Sequence, residues 1–321
     1  MGIAGQKIKV RFKGQTIGII EVMEKVELYK TGGETMAVKF GPAGNSQSFY
    51  EQGYKSSLDM PRWLRNIGLS AYEYQCSRGV NIKEETARRL GEAARENGIT
   101  LSIHAPYYIN LATPDPEKRE KTKGHLMKSL QAAHWMGATK VVFHPGGPSG
   151  MERSEAMERA VQTLSEIISE AEDKGLGNIL LAPETMGKAS LLGTVEEVIE
   201  LCSIGPLVIP TVDFGHLHAV TGGGLQGKED FAEVLNKFAK FISKEAFNGL
   251  HIHFSPVEYT GAGEKRHRTL LDDGYGPPFE PLAELIKERK MNPVIICESA
   301  GRQAEDALEY QEIYRRIMDG K

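Results

Sequence analysis

From residue 36 onward, short apolar runs alternate with longer stretches in which apolar positions recur every three to four residues. The short runs predict strands at 36–41, 70–75, 100–104, 139–144, 178–184, 207–213, 248–254 and 293–298. The longer stretches predict helices near 59–67, 83–97, 119–136, 151–173, 193–203, 227–243, 279–289 and 303–317. Two of them carry start signals: Thr194 precedes Glu196 and Glu197, and Ser154 precedes Glu155. A polar cap followed by first-turn acids suits the N-terminal end of a helix dipole. Strand–helix alternation requires parallel strands with right-handed crossovers, and eight such units predict an α/β fold of the (β/α)8 TIM barrel type. The competing arrangement is a doubly wound open sheet, but GPAGNS at 41–46 does not match the GxGxxG turn that usually follows its first strand.

Residues 1–35 fall outside the eight units and predict a small N-terminal β appendage, with the barrel occupying 36–321. KIKVRFK at 7–13 alternates apolar and basic residues, so Ile8, Val10 and Phe12 are expected to face the body and Lys7, Lys9, Arg11 and Lys13 to face out. Lysines on an exposed strand discourage edge-to-edge pairing. A basic strip for a nucleic-acid backbone is the competing reading.

Composition narrows the function classes. The 321 residues carry 39 Lys+Arg against 43 Asp+Glu, a formal charge of −4, which excludes the strongly basic type of nucleic-acid-binding domain. It leaves nucleic acid open as a partner, because bound metal ions can offset the acids. Cys76, Cys202 and Cys297 are isolated, so neither a disulfide framework nor a thiolate zinc site is indicated. With no apolar run near the ~18 residues of a membrane span, and charge returning at Lys7, Lys9 and Arg11, a cytoplasmic protein without membrane partners is expected. Gln6 stands where a myristoylation start wants Ser or Thr.

In such a barrel, chemistry sits at the C-terminal ends of the strands. The third to eighth predicted strands end at or next to His104, His144, Glu184, Asp213, His253 and Glu298, all of metal-ligand type. Three histidines and three carboxylates exceed what one zinc needs. A shared carboxylate would let two ions sit ~3.5–4 Å apart, the geometry of phosphoester displacement, and the mixed donors favour Zn2+ or Mn2+. His251, two residues before His253, reads as core; His125 and His134 read as helix surface or packing. Gly222–Gly224 lacks the Lys and Ser/Thr of a phosphate loop and reads as a turn.

These segments resemble the endonuclease IV family of abasic-site DNA repair enzymes. The resemblance rests on IHAPYYINL at 103–111, VVFHPG at 141–146, ETMGKASLLGT at 184–194, VDFGHLHA at 212–219, HIHFSP at 251–256 and CES at 297–299. It spans about residues 36–317. It implies one zinc held by His104, His144 and Glu184, and a second by Glu184, Asp213, His253 and Glu298, with Glu184 bridging and acting as the catalytic carboxylate. The family's third ion uses His216, a histidine matching His267 and an Asp two residues earlier; here Lys265 occupies that Asp position, within EKRH at 264–267. Three outcomes follow: Glu264 or His218 supplies the missing ligand, the Lys265 ammonium replaces the ion beside a DNA phosphate, or the site is lost. The implied reaction is hydrolysis of the phosphodiester 5′ to an abasic site in duplex DNA, by a monomer. Tyr107 and Tyr108 match the position that enters the DNA stack, and Arg78, in the short loop CSRGVN at 76–81, is the candidate for the family's Arg-bearing loop.

Two other functions fit part of the pattern. A sugar isomerase or epimerase on the related barrel needs one ion in a Glu-Asp-His-Glu set, which Glu184, Asp213, His253 and Glu298 satisfy alone; one ion does not require His104, His144, His216 and His267. A non-catalytic nucleic-acid-binding barrel would accommodate Lys265 and the short second loop, but a cluster of buried carboxylates without ions is electrostatically costly.

Overall fold

The computed structural model describes residues 6–12, 15–22 and 38–320. The chain divides into two units, one ending at Met36 and one beginning at Ala37. In the first, β1 (Gln6–Phe12) pairs antiparallel with β2 (Gln15–Val22), with a register shift between Val10 and Arg11. The side chains of these strands, and hence the expected facing of Ile8, Val10 and Phe12, lie outside the described residues.

The second unit is a closed ring of eight parallel strands: β3 (Lys39–Pro42), β4 (Ala71–Gln75), β5 (Thr100–His104), β6 (Lys140–Phe143), β7 (Leu180–Pro183), β8 (Thr211–Asp213), β9 (His251–Phe254) and, after a hairpin, β12 (Val294–Cys297). β3, β12, β9 and β8 ladder together, as do β4 to β7. Parallel bridges at Ala43–Glu73, Leu181–Val208 and Glu184–Thr211 join the two arcs. β3 and β4 approach so closely that a Cβ on Gly41 would lie 1.8 Å from the Ala71 carbonyl oxygen, so only glycine fits there.

Each predicted helix has its counterpart: α2 (Met60–Ile67), α3 (Glu84–Glu96), α4 (Pro116–Met136), α5 (Arg153–Asp173), α6 (Val195–Cys202), α8 (Lys228–Ala239), α10 (Glu280–Arg289) and α11 (Gln303–Met318). Short helices α1 (Gln47–Glu51), α7 (Phe214–Val220) and α9 (Lys244–Asn248) and the hairpin β10 (Val257–Thr260) and β11 (Gly263–His267) are additions. Thr194 caps α6 in a full capping box with Glu197. Ser154 does not cap α5: the helix starts at Arg153 with Glu152 outside it. Arg153 is drawn into the first turn by its guanidinium, which reaches Glu197 Oε1 at 2.5 Å and the carbonyls of Ala189 and Leu191 at 2.8 and 2.6 Å.

The main apolar core lies between the strands and the helix ring, with Phe254, Phe279 and Tyr310 packed at centroid separations of 4.8–5.1 Å. Inside the ring, Ala43, Ala71 and Ile296 form a small separate cluster. Polar pairs also fill the interior: Lys39 donates to Thr100, Ser102 donates to Glu73, and His251 pairs with Glu73. Residues two apart on one strand share a face, so Thr100, Ser102 and His104 form an inward column, as do Thr211 with Asp213 and His251 with His253. That alternation delivers ligand-type side chains to one mouth. Among the described residues no helix is long and apolar enough to cross a membrane.

Candidate metal centre

His104, at the end of β5, is oriented by its neighbour: Nδ1 lies 2.8 Å from the Ala105 carbonyl. A carbonyl can only accept, so Nδ1 carries a proton and Nε2 is the nitrogen that points onward, 3.2 Å from Glu184 Oε2. His144, one residue past β6, places its own Nε2 3.2 Å from the same oxygen. The other oxygen of Glu184 faces a different group. Oε1 lies 3.1 Å from His253 Nδ1, which is 3.4 Å from Glu298 Oε2 and 4.0 Å from Asp213 Oδ2. Asp213 Oδ1 accepts the His216 amide at 2.7 Å and caps α7, whereas Oδ2 is buried without a hydrogen-bond partner. An orphaned carboxylate oxygen among histidines is costly unless a cation occupies the space, so the donor set fits divalent metal.

The Asp213 cap fixes a third group. It starts α7 so that His216 projects beside Asp213, its Nδ1 donating to the Thr185 carbonyl at 2.9 Å. His216 Nε2 then lies 3.5 Å from Glu264 Oε2, and His267 Nε2 lies 3.8 Å from Glu264 Oε1. On a regular strand Glu264 and His267, three residues apart, would face opposite ways. Here β10 and β11 pair Glu258 with Arg266 and Tyr259 with Glu264, leaving Lys265 as the extra residue of a bulge. The bulge returns both side chains to one face. It is packed against the loop after β7: the Glu264 amide donates to the Gly187 carbonyl at 2.8 Å, and a Cβ on Gly263, at φ +98°, would lie 2.2 Å from that oxygen.

Of the three outcomes expected around Lys265, the geometry brings in Glu264. Lys265 Nζ instead sits 2.5 Å from Glu258 Oε1, sharing that carboxylate with Arg266 and Arg268. His218 turns away, with Nδ1 3.1 Å from the Leu225 carbonyl. Tyr107 and Tyr108 stand exposed past β5 in edge-to-face contact, and Tyr108 also packs edge-on to His125, beside a cleft of about 490 Å³. Arg78 lies exposed in the turn after β4.

The electrostatics are those of anions packed with three protonated rings, His104, His216 and His253, while burial lowers His144. Burial alone would lower His104, but the hydrogen bond and charge of Glu184 raise it to about 9. Burial likewise opposes protonation of His253 and His216, yet the surrounding carboxylates raise both well above the usual imidazole range. Burial would raise Glu184; the charges of His253 and His144 hold it well below the carboxylate range instead. For Asp213 burial wins and its carboxyl is raised. Protons thus occupy places that dications would take, and metal binding must release them.

Residues 61–317 match the xylose isomerase-like TIM barrel family. The chain belongs to that family. The chain is 31% identical over 236 residues to an uncharacterized protein of Methanocaldococcus jannaschii, covering 74% of this chain and 84% of that one. It is also 31% identical over 252 residues to a probable endonuclease 4 of Acholeplasma laidlawii, covering 75% and 81%. Among solved structures, a D-tagatose 3-epimerase-like protein superposes with a TM-score of 0.67 at 22% identity, covering 88% of this chain and 99% of that one. Endonuclease IV from Thermus thermophilus gives 0.65 at 21%, covering 88% and 100%. At these identities the structural likeness is one of fold. Proteins named as endonucleases and as epimerase-like both occur among those this chain resembles.

One buried acid beneath the barrel mouth is not among the residues expected from the sequence. Glu73 lies mid-strand in β4, fully buried, 3.1 Å from His253 Nε2 and 2.9 Å from His251 Nε2. A single acid inside an apolar run was the available signal. His251, read as core, is buried as expected and is the partner of that acid.

Proposed function

We propose that this protein hydrolyses the phosphodiester 5′ to abasic sites in duplex DNA, leaving a 3′-hydroxyl, as a metal-dependent enzyme of the endonuclease IV type. The observation that carries this reading is the division of labour in Glu184, whose two oxygens face two separate histidine-bearing groups. A single ion does not require His104, His144, His216 and His267 as ligands. Zinc is the expected metal, with manganese the alternative. His104, His144 and Glu184 would hold one ion, Glu184, Asp213, His253 and Glu298 a second, and His216, Glu264 and His267 a third. When bound, such ions supply a nucleophilic water near neutral pH and stabilise charge on phosphorus and the leaving oxygen.

The chain's own side chains do the rest. Ala105 and Thr185 carbonyls fix the tautomers of His104 and His216, so both rings present Nε2 to the mouth. Tyr107 and Tyr108 offer exposed ring faces that can stack on bases beside the gap of a missing one, and Arg78, exposed in the turn after β4, would meet the DNA backbone. Lys265, tied to Glu258, belongs to a basic hairpin edge rather than to the metal group.

A single-metal sugar epimerase remains the second reading, because the group of Glu184, Asp213, His253 and Glu298 closes without the other histidines. The deciding experiment incubates zinc-loaded native protein and the Glu184→Ala variant with duplex DNA carrying one abasic site, and in parallel with ketohexoses. Incision by the native protein alone supports the endonuclease. Epimerisation without incision overturns it.

A further inference from the structure

We infer that Glu73 is a positioning residue for His253: its buried carboxylate is the acceptor that keeps the ring's proton on Nε2 and leaves Nδ1 to bind a cation at the mouth. This rests on the cation-holding part of the reading above, which the hydrolase and the epimerase share.

A neutral imidazole has one N–H and one lone pair. His253 Nδ1 is the nitrogen directed at Glu184, Glu298 and Asp213. If it gives its lone pair to an ion there, Nε2 must carry the proton, and a fully buried N–H needs an acceptor. In the structure His253 Nε2 is buried and has no aligned hydrogen bond, while Glu73 Oε1 stands 3.1 Å from it. The aligned hydrogen bond of this ring is on the Nδ1 side, to Glu184 Oε1 at 3.1 Å, the contact that a bound ion would replace.

Glu73 is itself held in place from its other side. Its Oε2 accepts from Ser102 Oγ at 2.9 Å and lies 2.9 Å from His251 Nε2, and Gln75 Nε2 donates to Oε1 at 3.3 Å. Three strands therefore fix one carboxylate directly behind a metal-facing ring, the arrangement by which an outer carboxylate orients a metal-binding histidine and raises its basicity. The alternative, a separate ion between Glu73, His251 and His253, would require His253 to give lone pairs from both nitrogens at once, which only a fully deprotonated ring can do. The acceptor role has no such demand.

The test reads zinc rather than catalysis. Metal-free native protein, Glu73→Ala and Glu73→Gln are titrated with zinc against a competing chelator, with melting of the metal-free forms measured alongside. Removing an outer-shell partner typically weakens metal binding 10–100-fold. The expected result is that loss for one ion in Glu73→Ala, a loss under about tenfold in Glu73→Gln, which keeps an acceptor oxygen, and unchanged affinity at His104, His144 and Glu184. Native affinity for every ion in Glu73→Ala overturns the inference, as does equal weakening of every site together with a lower metal-free melting temperature. Should the alanine variant fail to fold, 15N spectra of the histidines in zinc-loaded native protein decide it: Nδ1 ligation of His253 with a protonated Nε2 is expected, and Nε2 ligation overturns it. Because no DNA is used, absence of abasic-site incision would sink the proposed reaction and leave this assignment standing.

Discussion

Glu264 Oε2 lies 3.5 Å from His216 Nε2, and it does so because Lys265 is bulged out of β11 between Glu264 and His267. An acid at the position of Lys265 is what the resembled family places there. Here the acid sits one residue earlier, and one extra backbone residue restores its facing.

That relationship predicts an asymmetry between neighbours. Glu264→Ala should lose one zinc per protein, whereas Lys265→Ala should retain the native count, because the bulge is a backbone feature and the Lys265 ammonium is engaged by Glu258. Elemental analysis after dialysis against trace zinc measures both. A metal loss in Lys265→Ala alone would show that the wrong residue has been placed in the cluster.

Metal binding should be strongly pH-dependent. In the metal-free protein His104 keeps its proton up to about pH 9, so below that pH an ion must displace it. Affinity should rise about tenfold per pH unit for each proton displaced, seen as proton release by calorimetry in buffers of different ionisation enthalpy. Zinc affinity that is flat between pH 6 and 8 would contradict the protonated ground state.

The same shift makes a stability statement of opposite sign for the stripped protein. The folded value of His104 lies above the unfolded 6.5, so its contribution is complete below about pH 6.5 and is lost as pH rises through about 9. The contribution is on the order of 3 kcal/mol. Chelated protein should therefore melt lower at pH 9 than at pH 6.5. Zinc-loaded protein, whose rings are unprotonated, should lose less over that interval.

Tyr107 and Tyr108 are exposed and bear no part of the core. Replacing both with Ala should leave zinc content and melting temperature unchanged while weakening binding to abasic duplex DNA by about 1–3 kcal/mol per lost stacking contact. Fluorescence anisotropy with metal-replete protein and a duplex whose scissile phosphodiester is replaced by a non-hydrolysable linkage would measure this without turnover. Unaltered affinity would remove the two rings from the DNA-binding surface.

Arg153 closes the loop after β7 onto α6 by donating to Ala189, Leu191 and Glu197, while Glu197 receives the amides of Gly193 and Thr194. Arg153→Ala should destabilise the protein by about 1–3 kcal/mol and raise hydrogen exchange selectively at 186–194. Exchange that rises uniformly across the barrel would argue against a local clasp.

The barrel and six of its mouth residues were legible in the sequence for a simple reason. A two-residue strand period and parallel topology turn the last inward position of each strand into a common address, so His104, His144, Glu184, Asp213, His253 and Glu298 could be read without coordinates. His216 and His267 needed the resemblance, because α7 is under three turns long and the β10–β11 hairpin carries little apolar periodicity. Glu264 depended on a bulge, a change of parity that no residue type announces. Glu73 depended most on tertiary structure. Its meaning comes from His251, 178 residues away along the chain, and from His253 beside it. A strand's own pattern says which way its side chains point. Only closure of the barrel decides which of those side chains meet, and which nitrogen of a buried ring is left to face the mouth.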